Sequence, residues 1–224
     1  IMGLYSLERV GVEHPLKQET AAIVQKKKFS KKDFLGFDVD RPNVLTGSTH
    51  HDERFSTFTA GINTAYYVAK VGIDVGFNLP EVLAHVRTLR PYHLPGHKSL
   101  GDGNEGWIDQ ITMVFNIVHV FSNFGELRLR PAVLPHECAF LRRAANMDKA
   151  LAIHDVHVVG ELCHCLRIFG HDPYTCAPLR EGIAFLLEMP RDFPATLLTT
   201  FHGAAEDVVR LPHAFCILAF SFCT

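Results

Sequence analysis

Hydrophobic residues recur at helical spacing in several segments of this chain, and four of these segments end in an apolar residue followed by glycine. The four segments are residues 7–11, 68–72, 121–125 and 166–170, and their glycines are Gly11, Gly72, Gly125 and Gly170. A glycine that directly follows a helical pattern is typical of a helix C-cap in the left-handed conformation. The pattern therefore predicts four helices that end at these glycines.

A second helix is predicted after each glycine, because a proline stands near each expected first turn, where helix starts favour it. These prolines are Pro15, Pro80, Pro131 and Pro173. Each pair of helices forms a hairpin, and the glycines recur at roughly 45 to 60 residues, the upper range of helical repeats. The sequence thus predicts five hairpins, the last one incomplete, near residues 1–28, 54–90, 108–146, 153–189 and 205–224.

The predicted connections between hairpins are long and rich in Gly, Pro, Asp and His: residues 29–52, 92–107 and 190–204. If the first helices of the hairpins run parallel, these loops share one rim, and insertions confined to one face usually mark a binding face. A length of 224 residues suits one repeat-built domain over residues 1–224. The chain enters its helical pattern without a capping residue, so we expect an N-terminal part to precede it.

The composition narrows the class of protein. The chain is 47% hydrophobic with a net charge of −2, which is typical of a soluble globular protein and not of a disordered chain or a nucleic-acid binder. The most apolar run, residues 211–223, contains Pro212 and His213, and it is shorter than the roughly 20 residues of a membrane helix. The six cysteines lie mostly in apolar helical patterns, which predicts a reducing, cytoplasmic location without disulfides.

Two loops with glycine stand before apolar helices that end in a glycine cap. Residues 102–107 read Asp-Gly-Asn-Glu-Gly-Trp before the helix over 112–125, and Gly-Phe-Asp at 36–38 precedes the helix over 56–72. This arrangement resembles the α/α-toroid superfamily of terpenoid cyclases and protein prenyltransferase β subunits, over nearly the whole chain. The resemblance implies a closed or partly open all-α toroid that binds a small or isoprenoid-like ligand in its central cavity. Such a ring has more hairpins than this chain shows, so a missing segment or a second subunit would complete it.

The resemblance also implies a zinc site. In the prenyltransferase branch an Asp-x-Cys pair at the start of one inner helix and a His near the start of the next hold zinc. The matching residues here are Asp155, His157 and His213, with His157 in the place of the cysteine. One aspartate and two histidines remain an acceptable set of zinc ligands. These three residues are therefore the expected catalytic and metal-binding residues of a metal-assisted transferase, whereas the acid motif that starts carbocation cyclisation is absent.

The fourth hairpin carries the densest group of polar residues. On a helix, His157, Glu161 and His164 fall on one face, where they could converge on a single ion or polar ligand. His154 and Asp155 would lie at the N-terminal end of that helix, where the helix dipole favours an anion. The alternative is that Asp155 is an N-cap and the histidines are partly buried, hydrogen-bonded members of a crowded helix.

Glu161 and His164 also match the Glu-x-x-His unit of di-iron carboxylate bundles. Such bundles need two units of this kind together with further glutamates on facing helices. The sequence contains no second copy of the unit, which disfavours a di-iron site.

Further candidates lie on the predicted loop rim. His51 and Asp52 stand directly before the second hairpin, and His202 lies in the third long loop. A metal or acid–base role is one interpretation of these residues, and a solvated helix start capped by Asp52 is the other. The sequence thus leaves two functions open: a ligand-binding toroid enzyme with zinc, or a non-catalytic helical-repeat scaffold that binds a peptide or protein through its rim.

Overall fold

A computed structural model describes residues 1–27, 29–41, 45 and 53–188. Within these ranges every regular element is a helix and no strand occurs, which confirms the all-α prediction. The chain divides into two compact units, Ile1–Val120 and Phe121–Thr224. The closure of the helices into a toroid and the single domain over 1–224 stay predictions.

The first unit contains six α-helices and two short 3₁₀ helices. The elements are α1 (Met2–Arg9), α2 (Leu16–Lys27), α3 (Lys31–Leu35), α4 (Glu53–Val71), α5 (Leu79–Leu83), the 3₁₀ helices Ala84–Leu89 and Lys98–Leu100, and α6 (Glu105–Phe121), whose last residue belongs to the second unit. Helix α4 is the longest, at 19 residues, and packs against α1, α3 and α5. Its buried aromatic and aliphatic residues recur at helical spacing, so that one helix supplies the centre of the unit.

Helix α3 was not predicted, because it lies inside the segment that the sequence presents as a long loop. It is held by local interactions. Ser30 and Asp33 form a reciprocal capping box at its start, and Gly36 in the left-handed conformation ends it. The chain after α3 packs closely on α4, where a β-carbon at Gly61 would lie 2.8 Å from Phe37 Cε1.

The second unit is built around one central helix. Its elements are α7 (Pro135–Leu141), α8 (Ala144–Ala152), α9 (Val156–Ile168) and α10 (Ala177–Glu188). Helix α9 packs against α7, α8 and α10, and nine of its residues are buried. A helix enclosed by three others holds its side chains in fixed positions, which makes α9 a suitable platform for a functional site.

Three of the four predicted helix ends are confirmed, since α1, α4 and α9 end within two residues of their glycines, whereas α6 ends at Phe121, four residues before Gly125. Two of the predicted helix starts are wrong. Gly11, Gly72, Gly125 and Gly170 all adopt the left-handed conformation, with φ of 74°, 72°, 86° and 80°. The helices expected near Pro131 and Pro173 begin one turn further on, at Pro135 and Ala177. The reason at Pro173 is a polar turn, in which the Asp172 side chain accepts hydrogen bonds from the backbone N–H groups of Tyr174 and Thr175.

One helix expected in the third hairpin is two helices in the structure. Helix α7 ends at Leu141 and α8 begins at Ala144. The fully buried Asn146 donates a hydrogen bond of 2.8 Å from its side-chain amide to the carbonyl oxygen of Phe140. The same carbonyl accepts a hydrogen bond of 3.0 Å from the backbone N–H of Arg143, so two donors connect the end of α7 to the start of α8. Among the described helices, none is both long and apolar enough to cross a lipid bilayer.

The packing of α10 on its neighbours predicts the effect of a substitution at Gly182. A β-carbon at this position would lie 2.5 Å from Cys163 Sγ and 2.7 Å from Met147 Cε. We expect Gly182→Ala to lower the free energy of unfolding by about 1–3 kcal/mol, because overpacking outweighs the better helix propensity of alanine. Urea denaturation measures this change.

The matched control is Gly3→Ala, at a helical glycine that has no atom within 4 Å of the added β-carbon. This variant is expected to gain about 0.5–1 kcal/mol through helix propensity. If Gly182→Ala proved as stable as the parent protein, the close packing of α10 would be contradicted.

Candidate metal centre

The start of α9 is fixed by Asp155. Its side chain accepts a hydrogen bond of 3.0 Å from the backbone N–H of Val158, which is the geometry of an N-cap. The capping role that the sequence offered as an alternative is therefore present. His154, just before the cap, is exposed, has a φ of 52°, and places its ring edge-on to Phe185 with centroids 6.0 Å apart.

Glu161 and His164 lie one helical turn apart on the same face of α9. Glu161 is only 3% exposed, whereas His164 is partly exposed. The Oε2 atom of Glu161 and the Nδ1 atom of His164 are both buried. His157, one turn earlier on that face, is also partly exposed. The expected polar face of this helix is therefore present.

A third side chain joins Glu161 and His164. His119 lies in the last turn of α6 and is 4% exposed. The ligand atoms of His119, Glu161 and His164 all lie within 4.8 Å of one another. In the described part of the chain, this is the one group of three or more His, Cys, Asp and Glu residues that could hold a metal ion.

The spacing of this group is close to that of a coordinated ion. Tetrahedral zinc at about 2.05 Å from each donor separates its donors by about 3.3 Å. Donor atoms within 4.8 Å of one another therefore need to move by only about 1.5 Å or less to bind one ion.

A glycine turn sets the position of the His164 ring. Gly125 has a φ of 86°, and a β-carbon there would lie 2.8 Å from His164 Nε2 and 3.2 Å from His164 Cε1. The turn is held by the fully buried Ser122, whose hydroxyl oxygen accepts a hydrogen bond of 2.9 Å from the Gly125 N–H. The imidazole of His164 therefore packs against backbone that only glycine supplies without collision.

The two cysteines on α9, Cys163 and Cys165, lie beside the candidate centre and are fully buried. Burial raises the pKa of Cys163 to about 12. Burial also raises the pKa of Cys165 well above its ordinary value, and the negative charge of Glu161 raises it further. Neither thiol belongs to the group, whose donors are two imidazoles and one carboxylate.

The structure places the sequence-predicted residues in three groups. Glu161 and His164 belong to the candidate centre, and His157 lies on the same helix outside it. Asp155 and His154 lie at the start of α9, as described above. The remaining candidates, His51, Asp52, His202 and His213, lie outside the described residues. The zinc set of Asp155, His157 and His213 thus stays a prediction.

Sequence reasoning missed His119. The residue belongs to a helix of almost continuous apolar character, and its neighbours in sequence include no second metal-binding side chain. The sequence offered one indication, a histidine in a predicted core helix, because a buried polar residue needs a partner.

Comparison of this chain with protein-family models, with curated proteins and with solved structures finds no match in any of the three. The α/α-toroid resemblance therefore stays a prediction. The function of the candidate centre has to be inferred from its own chemistry.

Proposed function

We propose that this protein binds one divalent transition-metal ion, zinc in the first place, through His119, Glu161 and His164. The proposal is supported by one observation above all, that the ligand atoms of these residues lie within 4.8 Å of one another. Two imidazoles and a carboxylate form a donor set that zinc uses in proteins, and ferrous ion uses a similar one.

The surroundings of the group also support the proposal. His119 and Glu161 are almost completely buried, so water competes little with an ion for their donor atoms. A divalent cation at the centre would stabilise the ionised form of Glu161. The enclosing helices α7, α8 and α10 hold α9, and with it two of the three donors, in place.

The proposed ion relates to the two functions that the sequence left open. A metal-assisted transferase acting on an isoprenoid-type substrate would use the ion to polarise a nucleophile or leaving group. In this proposal the ion would be held by His119, Glu161 and His164 in place of Asp155, His157 and His213. The helical-repeat scaffold needs no ion. Both remain proposals, and bound metal would favour the first.

Metal binding is tested by elemental analysis and by calorimetric titration of the chelator-treated protein with zinc. We expect one equivalent of zinc per chain. Glu161→Gln keeps the size of the side chain and removes its charge. We expect its zinc affinity to fall by about 100-fold or more, because replacing a residue that only contacts a metal ligand already costs about 10- to 100-fold. Full zinc binding by Glu161→Gln would contradict the proposal.

Two control variants separate this site from the set that the resemblance implies. His157→Gln changes a partly exposed histidine on the same helix, and we expect its zinc affinity to equal that of the parent. Asp155→Ala removes the N-cap, which costs about 1 kcal/mol of stability in urea denaturation, and it too should retain zinc. If both controls lost zinc while Glu161→Gln retained it, the metal would lie at Asp155 and His157 instead.

A further inference from the structure

We infer that a pocket in the first unit, lined by α3, the residues after it and the start of α4, binds the phosphate group of a small molecule through Arg54 and Lys32. The pocket has a volume of about 470 Å³, which is within the range of small-molecule sites. The described residues that line it all belong to the first unit, and none of them is part of the candidate metal centre. Phosphate binding there is therefore independent of the proposed metal site.

Positive charge exceeds negative charge on the described lining of this pocket. Lys32, Arg41 and Arg54 contribute three cations, whereas Asp38 and Glu53 contribute two carboxylates. One of these carboxylates is already bound, because Asp38 Oδ2 lies 3.0 Å from Arg41 Nε. The remaining two cations outnumber the remaining carboxylate, so the pocket favours an anion.

Arg54 is the residue that points most directly to a ligand. Its side chain is partly buried, and its Nε atom is buried without a hydrogen-bond partner in the described part of the chain. Burial also lowers the pKa of Arg54 below its ordinary value. A partly desolvated guanidinium without a hydrogen-bond partner at Nε destabilises the protein, and a bound anion that accepts its N–H groups offsets this cost.

The Arg54 side chain is also held in place before a ligand binds. Its Cζ atom lies over the ring of the buried Phe55, 4.5 Å from the ring centroid. A guanidinium on an aromatic face keeps its N–H groups in one plane, where they can donate to the oxygens of an anion. Binding then orders little of the side chain, which favours affinity.

The lining also selects the class of anion. Lys32 belongs to α3 and Arg54 to α4, so the two cations come from separate helices. A phosphate group has three terminal oxygens and a charge of about −1.5 to −2 at neutral pH, so it can bind both cations at once, whereas a carboxylate has two oxygens and one charge. Gly36, Phe37 and Leu45 add an apolar part to the lining, against which the uncharged part of the ligand can pack.

Inorganic phosphate is the probe that tests this site. It is titrated calorimetrically at constant ionic strength, because salt screens such contacts, and in phenanthroline, a neutral chelator that keeps metal ions off the protein. We expect one phosphate per chain with a dissociation constant of about 1 mM or lower. Acetate is expected to bind at least about tenfold more weakly. Glu161→Gln should bind phosphate as the parent does, because the pocket and the metal centre share no residue.

Three variants locate the phosphate on the protein. Arg54→Met keeps an unbranched side chain and removes the charge, and we expect its phosphate affinity to fall at least about tenfold. Lys32→Met changes an exposed residue and should lower the affinity by about threefold or more. Lys70→Met is the matched control, since Lys70 lies on α4 as well, with Nζ over the Tyr66 ring at 5.3 Å, but outside the described pocket lining. Its affinity should equal that of the parent.

The absence of saturable phosphate binding by the parent would overturn the inference. Equal losses of affinity in Arg54→Met and Lys70→Met would also overturn it, because they would show an effect of net charge alone. Acetate that binds as tightly as phosphate would exclude a phosphate-selective site. If Arg54→Met does not fold, Lys32→Met decides the question against the same control. Each of these results is obtained without metal, so none depends on whether the proposed metal site exists.

Discussion

Zinc is expected to raise the free energy of unfolding of this protein by about 4 kcal/mol when its free concentration exceeds the dissociation constant about a thousandfold. The reason is that His119 is far from Glu161 and His164 in the sequence, so the three donors come together only in the folded chain. An ion that binds the folded form and not the unfolded form shifts the folding equilibrium by mass action. Urea denaturation with zinc and with a chelator measures the difference.

This prediction has a variant control and a metal control. Glu161→Gln should show little or no zinc-dependent gain, because it lacks the carboxylate that binds the ion. Magnesium at the same concentration should have no effect, because it prefers an all-oxygen site. An equal gain for Glu161→Gln would show that zinc acts at other residues among the fourteen histidines of the chain.

The parts of the fold that sequence predicted well are those that local pattern determines. The helices α4 and α9 follow from apolar residues at helical spacing, and the left-handed glycines that follow their helices were predicted from the end of each pattern. Helix α3 was missed because it is only five residues long and depends on a capping box instead of an apolar face. Helices of this length carry too few residues to show a period.

Two of the three residues of the candidate centre could be predicted from the sequence, because local spacing relates them. Glu161 and His164 are three positions apart on one helix, so their shared face follows from sequence alone. His119 is 42 residues before Glu161, and no local rule of sequence brings its ligand atom within 4.8 Å of the other two. Long-range proximity of this kind requires either a structure or a set of related sequences.

The role of Asp155 shows how one pattern supports two interpretations. An aspartate before an apolar helix is equally suited to a metal ligand and to an N-cap, and its hydrogen bond to the Val158 N–H is that of a cap. The bond occupies one of its carboxylate oxygens. A buried Glu161 in the middle of the same helix has no capping role, which makes it the stronger metal-ligand candidate of the two.

Replacing Gly125 by alanine is expected to lower the affinity for zinc at least about tenfold, equivalent to about 1.4 kcal/mol. The substitution has two separate costs. The first is backbone strain, because a φ of 86° is unfavourable for residues with a β-carbon by about 1–2 kcal/mol. The second is the collision of that β-carbon with His164 Nε2, 2.8 Å away, which forces the imidazole out of its position beside Glu161.

Gly170→Ala carries the backbone strain without the collision, so comparing the two variants measures the effect of the collision alone. Gly170 has nearly the same conformation, with a φ of 80°, and no atom lies within 4 Å of an added β-carbon. Both variants should lose similar stability in urea denaturation with a chelator present, since both carry the backbone strain. Only Gly125→Ala should bind zinc more weakly in calorimetric titration. Equal zinc affinity in the two variants would mean that the turn at Gly125 does not position the His164 ring for metal binding.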